Sequence, residues 1–145
     1  MLVGINRFFK APRDRVFAAF TETDLFQQWW GPKTFSCPVA ELDPRPGGVF
    51  HAEMLSSEGN THVIDGIFRE VSPPSRLVFT WAWQQGDYMN LENLVTLEFI
   101  AVEGGTELRL THETLADEHA REQHSQGWSS SFDCLEEQLE KGNNP

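Results

Sequence analysis

Between Thr34 and Glu113 six short stretches alternate apolar and polar residues, and each runs into a cluster of turn-forming residues. In order they read TFSCPVAEL, VFHAEML, HVIDGIFREV, RLVFTWAW, LVTLEFIAV and TELRLTHE, separated by DPRPGG, SSEGN, SPPS, QQGDYMN and EGG. Successive side chains of a strand point to opposite faces, so a period of two predicts strands. Strands in such tight succession predict an antiparallel meander. This pattern constrains the chain more than any other feature, because it commits more than half of its length to one sheet.

The alternation also sorts the faces. Leu77, Phe79, Trp81 and Trp83 share one side of RLVFTWAW, and Val95, Leu97 and Phe99 share one side of LVTLEFIAV. Leu108 and Leu110 do the same in TELRLTHE, and the same count puts His112 on their side. Phe50, Ala52 and Met54 oppose His51 and Glu53. In DGIFREV both faces carry apolar groups; Gly66 and Phe68 are taken as inward.

Helical spacing appears at the two ends of the chain. INRFF predicts a first short strand, and APRDRVFAAFTETDLFQQWWGP then predicts two short helices. Pro12 suits a first helical turn, where its missing N–H costs nothing. Val16, Phe17 and Phe20 share a face of the first helix. Residues 21–24 offer capping side chains for the second, which would bury Leu25, Phe26 and Trp29. Gly31 and Pro32 would stop it. Trp29 is expected to staple these helices to the core, with Trp30 beside it at the mouth of a cavity.

A single long helix is predicted over about Asp117 to Glu140, with Thr114 and Asp117 in capping-box spacing. At ~100° per residue its buried stripe holds Ala120, His124, Trp128, Ser131, Phe132, Leu135 and Leu139. Gly142 is expected to end it, with the tail NNP beyond. Gly127 borders the stripe, although glycine costs a helix about 1 kcal/mol relative to alanine. The expectation is that it lets the helix approach a curved sheet or a ligand closely. Phe132, Leu135 and Leu139 would then anchor one half of the helix, while His124 and Trp128 roof a cavity with the other.

A sheet with one apolar face and a helix with one apolar stripe must cover each other. The expected fold is therefore α+β, in the order β-α-α-β(6)-α. A curved antiparallel sheet of about seven strands wraps a long C-terminal helix, and two short helices follow the first strand. The 145 residues suit a single domain, and neither a repeat nor a linker-like stretch divides them.

The formal net charge of −11 weighs against nucleic acid and against an anionic membrane surface as partners. No apolar run approaches the ~20 residues needed to span a bilayer, and the N-terminus lacks a signal-peptide pattern. A soluble, cytoplasmic protein is expected. Cys37 and Cys134 make neither a disulfide framework nor a zinc spacing and are read as reduced, partly buried thiols.

The segments APRDRVFAAFTETDLFQQWWGP, DPRPGGVFHAEM, GIFREVSPPSRLVFTW, GTELRLTHE and HSQGW, in this order, resemble the activator of Hsp90 ATPase homologue-like family. That family belongs to the START/birch-pollen-allergen superfamily, also called SRPBCC, and the likeness covers nearly the whole chain. The resemblance implies a helix-grip fold with a cavity between the long helix and the sheet. It also implies functions drawn from lipid and sterol carriage, binding of secondary metabolites, and aromatase or cyclase chemistry. The family takes its name from a co-chaperone, which makes Hsp90 an alternative partner; the lack of a second domain in this chain weighs against it.

Candidate ligand-lining residues are the inward ones: Phe50 and Met54, Phe68, then Phe79, Trp81 and Trp83, then Val95 and Leu97, then Leu110 and His112, with His124 and Trp128 from the helix. Ligand pockets are mainly apolar with a few polar groups that fix orientation. The expected function is binding of a small hydrophobic molecule, aromatic or lipid-like, with the histidines reading a hydroxyl or carbonyl. The alternatives are a cyclase, dehydratase or hydrolase using His112 or His124, and a chaperone-interaction module. The bland alternative for both histidines is a core position satisfied by backbone or indole groups.

No cofactor is expected. No metal is expected either: His119 and His124 are five apart, so they do not share a helix face. Ser129, Ser130 and Ser131 do not sit on a strand-to-helix elbow, so no nucleophilic serine is assigned. A homodimer is left open.

Overall fold

The computed structural model describes residues 1–143. The elements run β1 (Val3–Phe9), α1 (Arg13–Thr21), α2 (Thr23–Trp29), β2 (Phe35–Leu42), β3 (Val49–Ser56), β4 (Thr61–Ser72), β5 (Arg76–Trp83), β6 (Asn93–Val102), β7 (Gly105–Glu113) and α3 (Glu118–Asn143). All seven strands form one antiparallel sheet in the order β1-β7-β6-β5-β4-β3-β2. Strands two to seven are the expected meander, and β1 adds beside β7 with Val3 opposite His112. The first two strands therefore lie at opposite edges. Their connection, α1 and α2, must cross from one edge to the other. It packs with α3 on the way, α1 against β6 and β7 and α2 against β2. This is the helix-grip architecture.

The inward faces follow the alternation. Phe50, Ala52, Met54, Phe68, Leu77, Phe79, Trp81, Val95, Leu97, Phe99, Leu108, Leu110 and His112 are all buried. Gly66 is half-buried and has a different job from a core residue. A Cβ there would fall 1.9 Å from the carbonyl oxygen of Thr80, so two strand backbones meet where no side chain fits. A register shift between Phe68 and Glu70 follows, so the faces of β4 are mixed where its sequence was ambiguous. No helix among the described residues is long and apolar enough to cross a membrane.

Several helix ends differ from expectation. Pro12 is the N-cap of α1 rather than a residue of its first turn, with its carbonyl accepting the N–H of Val16 at 3.2 Å. Neither short helix has a side-chain cap, and the Thr21 hydroxyl instead donates back to the Phe17 carbonyl at 3.2 Å. Gly31 does follow α2 with φ +105, a conformation that a side chain disfavours. For α3 the capping box does not form. Asp117 itself accepts the N–H of Ala120 at 2.8 Å, while Thr114 sits at φ 64 outside the helix. A carboxylate three residues ahead of a first-turn N–H is the geometry of an N-cap, and the helix dipole favours it. Gly142 does not end α3, which continues to Asn143. Asn144 and Pro145, the rest of the expected tail, lie outside the described residues.

Candidate functional site

Helix α3 meets the sheet unevenly. Along its C-terminal half the contact is filled: Phe132 and Leu135 are fully buried, and Phe132 meets Phe9 edge to face at 5.9 Å. Polar ties hold the same half, with Arg15 donating to the Leu139 carbonyl at 3.1 Å and Arg7 paired with Asp133 at 2.6 Å.

Along the N-terminal half a cleft of about 370 Å³ remains. Trp30, Trp81, Trp83, Trp128 and Met54 form its walls. From α3, His124, Gly127 and Ser131 face it; Gly31, Pro32 and Phe35 flank it after α2; and residues 85–88 of the β5–β6 loop close the other flank. His62, His119 and Gln123 also line it. The loop is held at the start of α3, because the Tyr88 hydroxyl donates at 3.0 Å to the carboxylate of Asp117 that caps the helix. Asp117 is held below the usual carboxylate range, first by the Ala120 N–H and then by Tyr88.

Two indole–imidazole pairs organise the polar groups. The Trp83 N–H donates to Nε2 of His124 at 3.0 Å, and Nδ1 of His124 lies 2.6 Å from the Ala120 carbonyl one turn back. A carbonyl only accepts, so Nδ1 carries the proton and the ring is neutral. The Trp128 N–H donates to Nδ1 of His112 at 3.0 Å, and Nε2 of His112 lies 3.2 Å from Oδ1 of Asn93. The Asn93 amide N–H donates to the Thr114 carbonyl at 3.2 Å, which fixes the amide orientation and puts the His112 proton on Nε2. The two imidazoles are 4.7 Å apart, edge to face.

Burial pushes the pKa of both histidines down; for His112 it falls well below the ordinary value, with the nearby His124 adding to the effect. The hydrogen bonds explain the same preference locally. A second proton on either ring would point an N–H at an indole N–H. Each imidazole thus has both nitrogens engaged, and neither offers a free lone pair to the cleft.

Of the sequence candidates, Met54, Trp81, Trp83, His124 and Trp128 line the cleft. Phe50, Phe68 and Phe79 sit in the aromatic core, where Phe50 stacks on Phe79 at 4.3 Å and meets Phe68 edge to face at 5.8 Å. Val95, Leu97 and Leu110 are buried on the inward face and do not line the cleft. His112 lies behind the wall, against Trp81 at 5.1 Å.

Trp30, expected at a cavity mouth, is a buried part of the wall, stacked on Phe26 at 4.5 Å. Trp29 is buried in the core, as expected, and also ties α2 to α1 by donating to the Ala19 carbonyl at 2.9 Å. Periodicity did not reach Gly31, Pro32, Phe35, His62, His119, Gln123 or residues 85–88. Gly31, Pro32 and residues 85–88 lie in connections, which have no period to read, although the WWGP turn was a signal that the chain reverses beside a tryptophan. Phe35 opens β2, His62 lies in β4, where only Gly66 and Phe68 were taken as inward, and His119 and Gln123 lie on α3 beside its stripe.

For Gly127 the sheet half of the expectation fails. A Cβ there would meet nothing within 4 Å, so close approach to the sheet is not its reason. Its position opens onto the cleft instead.

Donor bookkeeping separates the five tryptophans. Trp29, Trp83 and Trp128 all have acceptors for their N–H groups. The N–H groups of Trp30 and Trp81 are buried with no partner among the described residues. Burial also pushes the Cys37 thiol up to about 11, which makes it a poor nucleophile. Among the described residues no group of three or more His, Cys, Asp or Glu side chains could hold a metal ion.

Comparison with known proteins agrees with this architecture. No curated protein matches the chain. Among solved structures, the AHSA1 protein from Silicibacter pomeroyi superposes with a TM-score of 0.89 at 27% identity, over 99% of this chain and 100% of that one. A protein from Chromobacterium violaceum gives 0.88 at 26% identity over 96% of both chains. One from Nitrosomonas europaea gives 0.83 at 26% identity, over 98% of this chain and 96% of that one. The family model described as activator of Hsp90 ATPase homolog 1-like protein matches residues 10–140, and the chain therefore belongs to that family.

Proposed function

We propose that this protein binds a small, largely apolar molecule, aromatic or lipid-like in its body, in the cleft under the N-terminal half of α3. One observation carries the reading: the space between helix and sheet is filled at one end, and at the other it is left open and walled by four indoles. Indole faces suit planar apolar groups, and a cleft of this size between packed layers is the usual form of a small-molecule site. Family membership supports a scaffold of ligand-binding type.

An acid–base enzyme using His112 or His124 has less behind it. A general base needs a free lone pair within reach of a substrate proton, and both imidazoles spend theirs on indole donors.

A screen of planar apolar compounds by two-dimensional NMR tests the proposal. Saturable shifts concentrated at Trp81, Trp83, Trp128 and residues 85–88 are expected. Shifts restricted to the outer face of the sheet, or none with any compound, would sink it.

A further inference from the structure

The walls of the cleft hold two hydrogen-bond donors for which no described residue supplies an acceptor. Trp30 and Trp81 are both nearly fully buried, both line the cleft, and neither N–H has a partner among the described residues. A buried donor without an acceptor costs about 1–3 kcal/mol, and native proteins keep only a few, so two side by side call for an explanation. The rings are neighbours, 5.7 Å apart. Around them stand other rings, Phe50 and Trp128 against Trp30, Trp83 and His112 against Trp81, and π faces are weak substitutes for an oxygen. Both nitrogens of each nearby imidazole are already taken. The unmet demand is therefore for an acceptor that no described residue supplies.

The charges around the cleft say what kind of acceptor. No lysine or arginine is among its lining residues, whereas Asp87 is. The whole chain carries a formal net charge of −11. His62 and His119 also line the cleft, but neither carries the fixed charge of a lysine or arginine. A carboxylate or phosphate would enter this site without a permanent counter-charge, and burying an unpaired ion costs far more than an indole hydrogen bond returns.

We infer that the cleft recognises a neutral ligand whose planar apolar body carries a carbonyl-type oxygen, read by the N–H groups of Trp30 and Trp81. A carbonyl oxygen has two lone pairs, so one group can answer either donor or both. Both N–H groups are buried in the unliganded protein, so this contact requires the indole edges to turn toward the oxygen on binding. This rests on the ligand-site reading above and adds the polar chemistry of the ligand to it.

Three matched probes test the inference: fluorenone, fluorene and fluorene-9-carboxylate. They share a planar three-ring body and differ in offering a neutral acceptor, none, or an anion. Affinities are measured by tryptophan fluorescence, and the indole N–H signals are followed by NMR. In a merely greasy cleft fluorene binds best, because the ketone gives up hydrogen bonds to water. The inference expects the reverse, with fluorenone about tenfold tighter than fluorene and the carboxylate weakest. The indole N–H signals of Trp30 and Trp81 should move downfield with fluorenone alone, while that of Trp29, bonded to Ala19 away from the cleft, stays in place.

Fluorene binding as tightly as fluorenone would overturn the inference while leaving the ligand site standing. So would tight binding of the carboxylate, or a ketone preference without movement of either indole signal. Failure of all three probes to bind would remove the ligand-site reading, and this inference with it.

Discussion

The two halves of α3 cover the same sheet and leave opposite results. The C-terminal half presents Phe132, Leu135 and Leu139, and the space beneath it is closed. The N-terminal half presents His124 and Trp128 opposite Trp81 and Trp83, and a cleft remains. The difference lies in what each side chain must satisfy. Leucine and phenylalanine carry no polar atoms, so any rotamer that fills space is acceptable, and such residues pack to crystal-like density. An indole or imidazole must also aim its nitrogen. Trp83 and Trp128 aim theirs at His124 and His112, and that geometry, rather than space-filling, sets where the rings stand.

Substitutions should separate the two halves, beginning with the closed one. Phe132→Ala leaves a hole under a fully buried ring and should cost about 3–5 kcal/mol in urea denaturation. It should leave probe binding at the cleft unchanged in the folded protein. Loss of probe affinity equal to that of a cleft variant would mean that the halves are coupled.

His112→Ala is expected to come next, at about 2–4 kcal/mol. It removes packing and strands two buried groups, the Trp128 N–H and the Asn93 carbonyl oxygen. His112→Gln, with an oxygen and an N–H of its own, should recover part of that loss. If Ala and Gln are equally destabilising, hydrogen bonding is not what His112 supplies.

Acid should strike the open half first. His112 and His124 have folded-state pKa values below their ordinary value of 6.5, so the unfolded chain binds protons that the folded one refuses. Their contribution is present above the unfolded value and is lost as pH falls below about 6.5. His51 works the other way. It sits between Asp65 and Glu53 on the β3–β4 surface with its pKa raised, chiefly by Asp65, so its contribution is present below pH 6.5 and fades as pH rises through its folded value. Denaturation midpoints between pH 7.5 and 5 should fall less steeply in His112→Gln than in the wild type. Parallel slopes would show that His112 does not carry the effect.

The smallest change should be the most diagnostic. Gly127→Ala adds a methyl group in open space, so the helix should gain about 0.5–1 kcal/mol. The same methyl intrudes on the cleft, so affinity for a planar probe should drop severalfold. Greater stability with unchanged affinity would mean that the glycine is not there for a ligand.

The faces of the sheet were legible because burial on one side forces period-two alternation, and the inward count placed Trp81 and His112 without further help. The stripe of α3 was legible for the same reason at helical period. The cleft was only partly so. Trp83 and His124 could be put on inward faces, but nothing in their spacing said that they bond to each other. Residues 85–88 and Phe35 lie in or next to irregular connections, where no period exists. Gly127 stood out in the sequence as an oddity, yet its reason could only be found by asking what surrounds it.

What the amino-acid order determined by itself was the kind of structure: seven strands, two short helices, a long one, and which side of each is apolar. Those properties are local, since they follow from how side chains project from a single strand or helix. Only the tertiary structure decided which indoles find an acceptor, and that Trp30 and Trp81 find none among the described residues. Hydrogen bonds between residues as far apart as Trp83 and His124 need both distance and direction to be right. Those two quantities exist only once the sheet has curved around the helix.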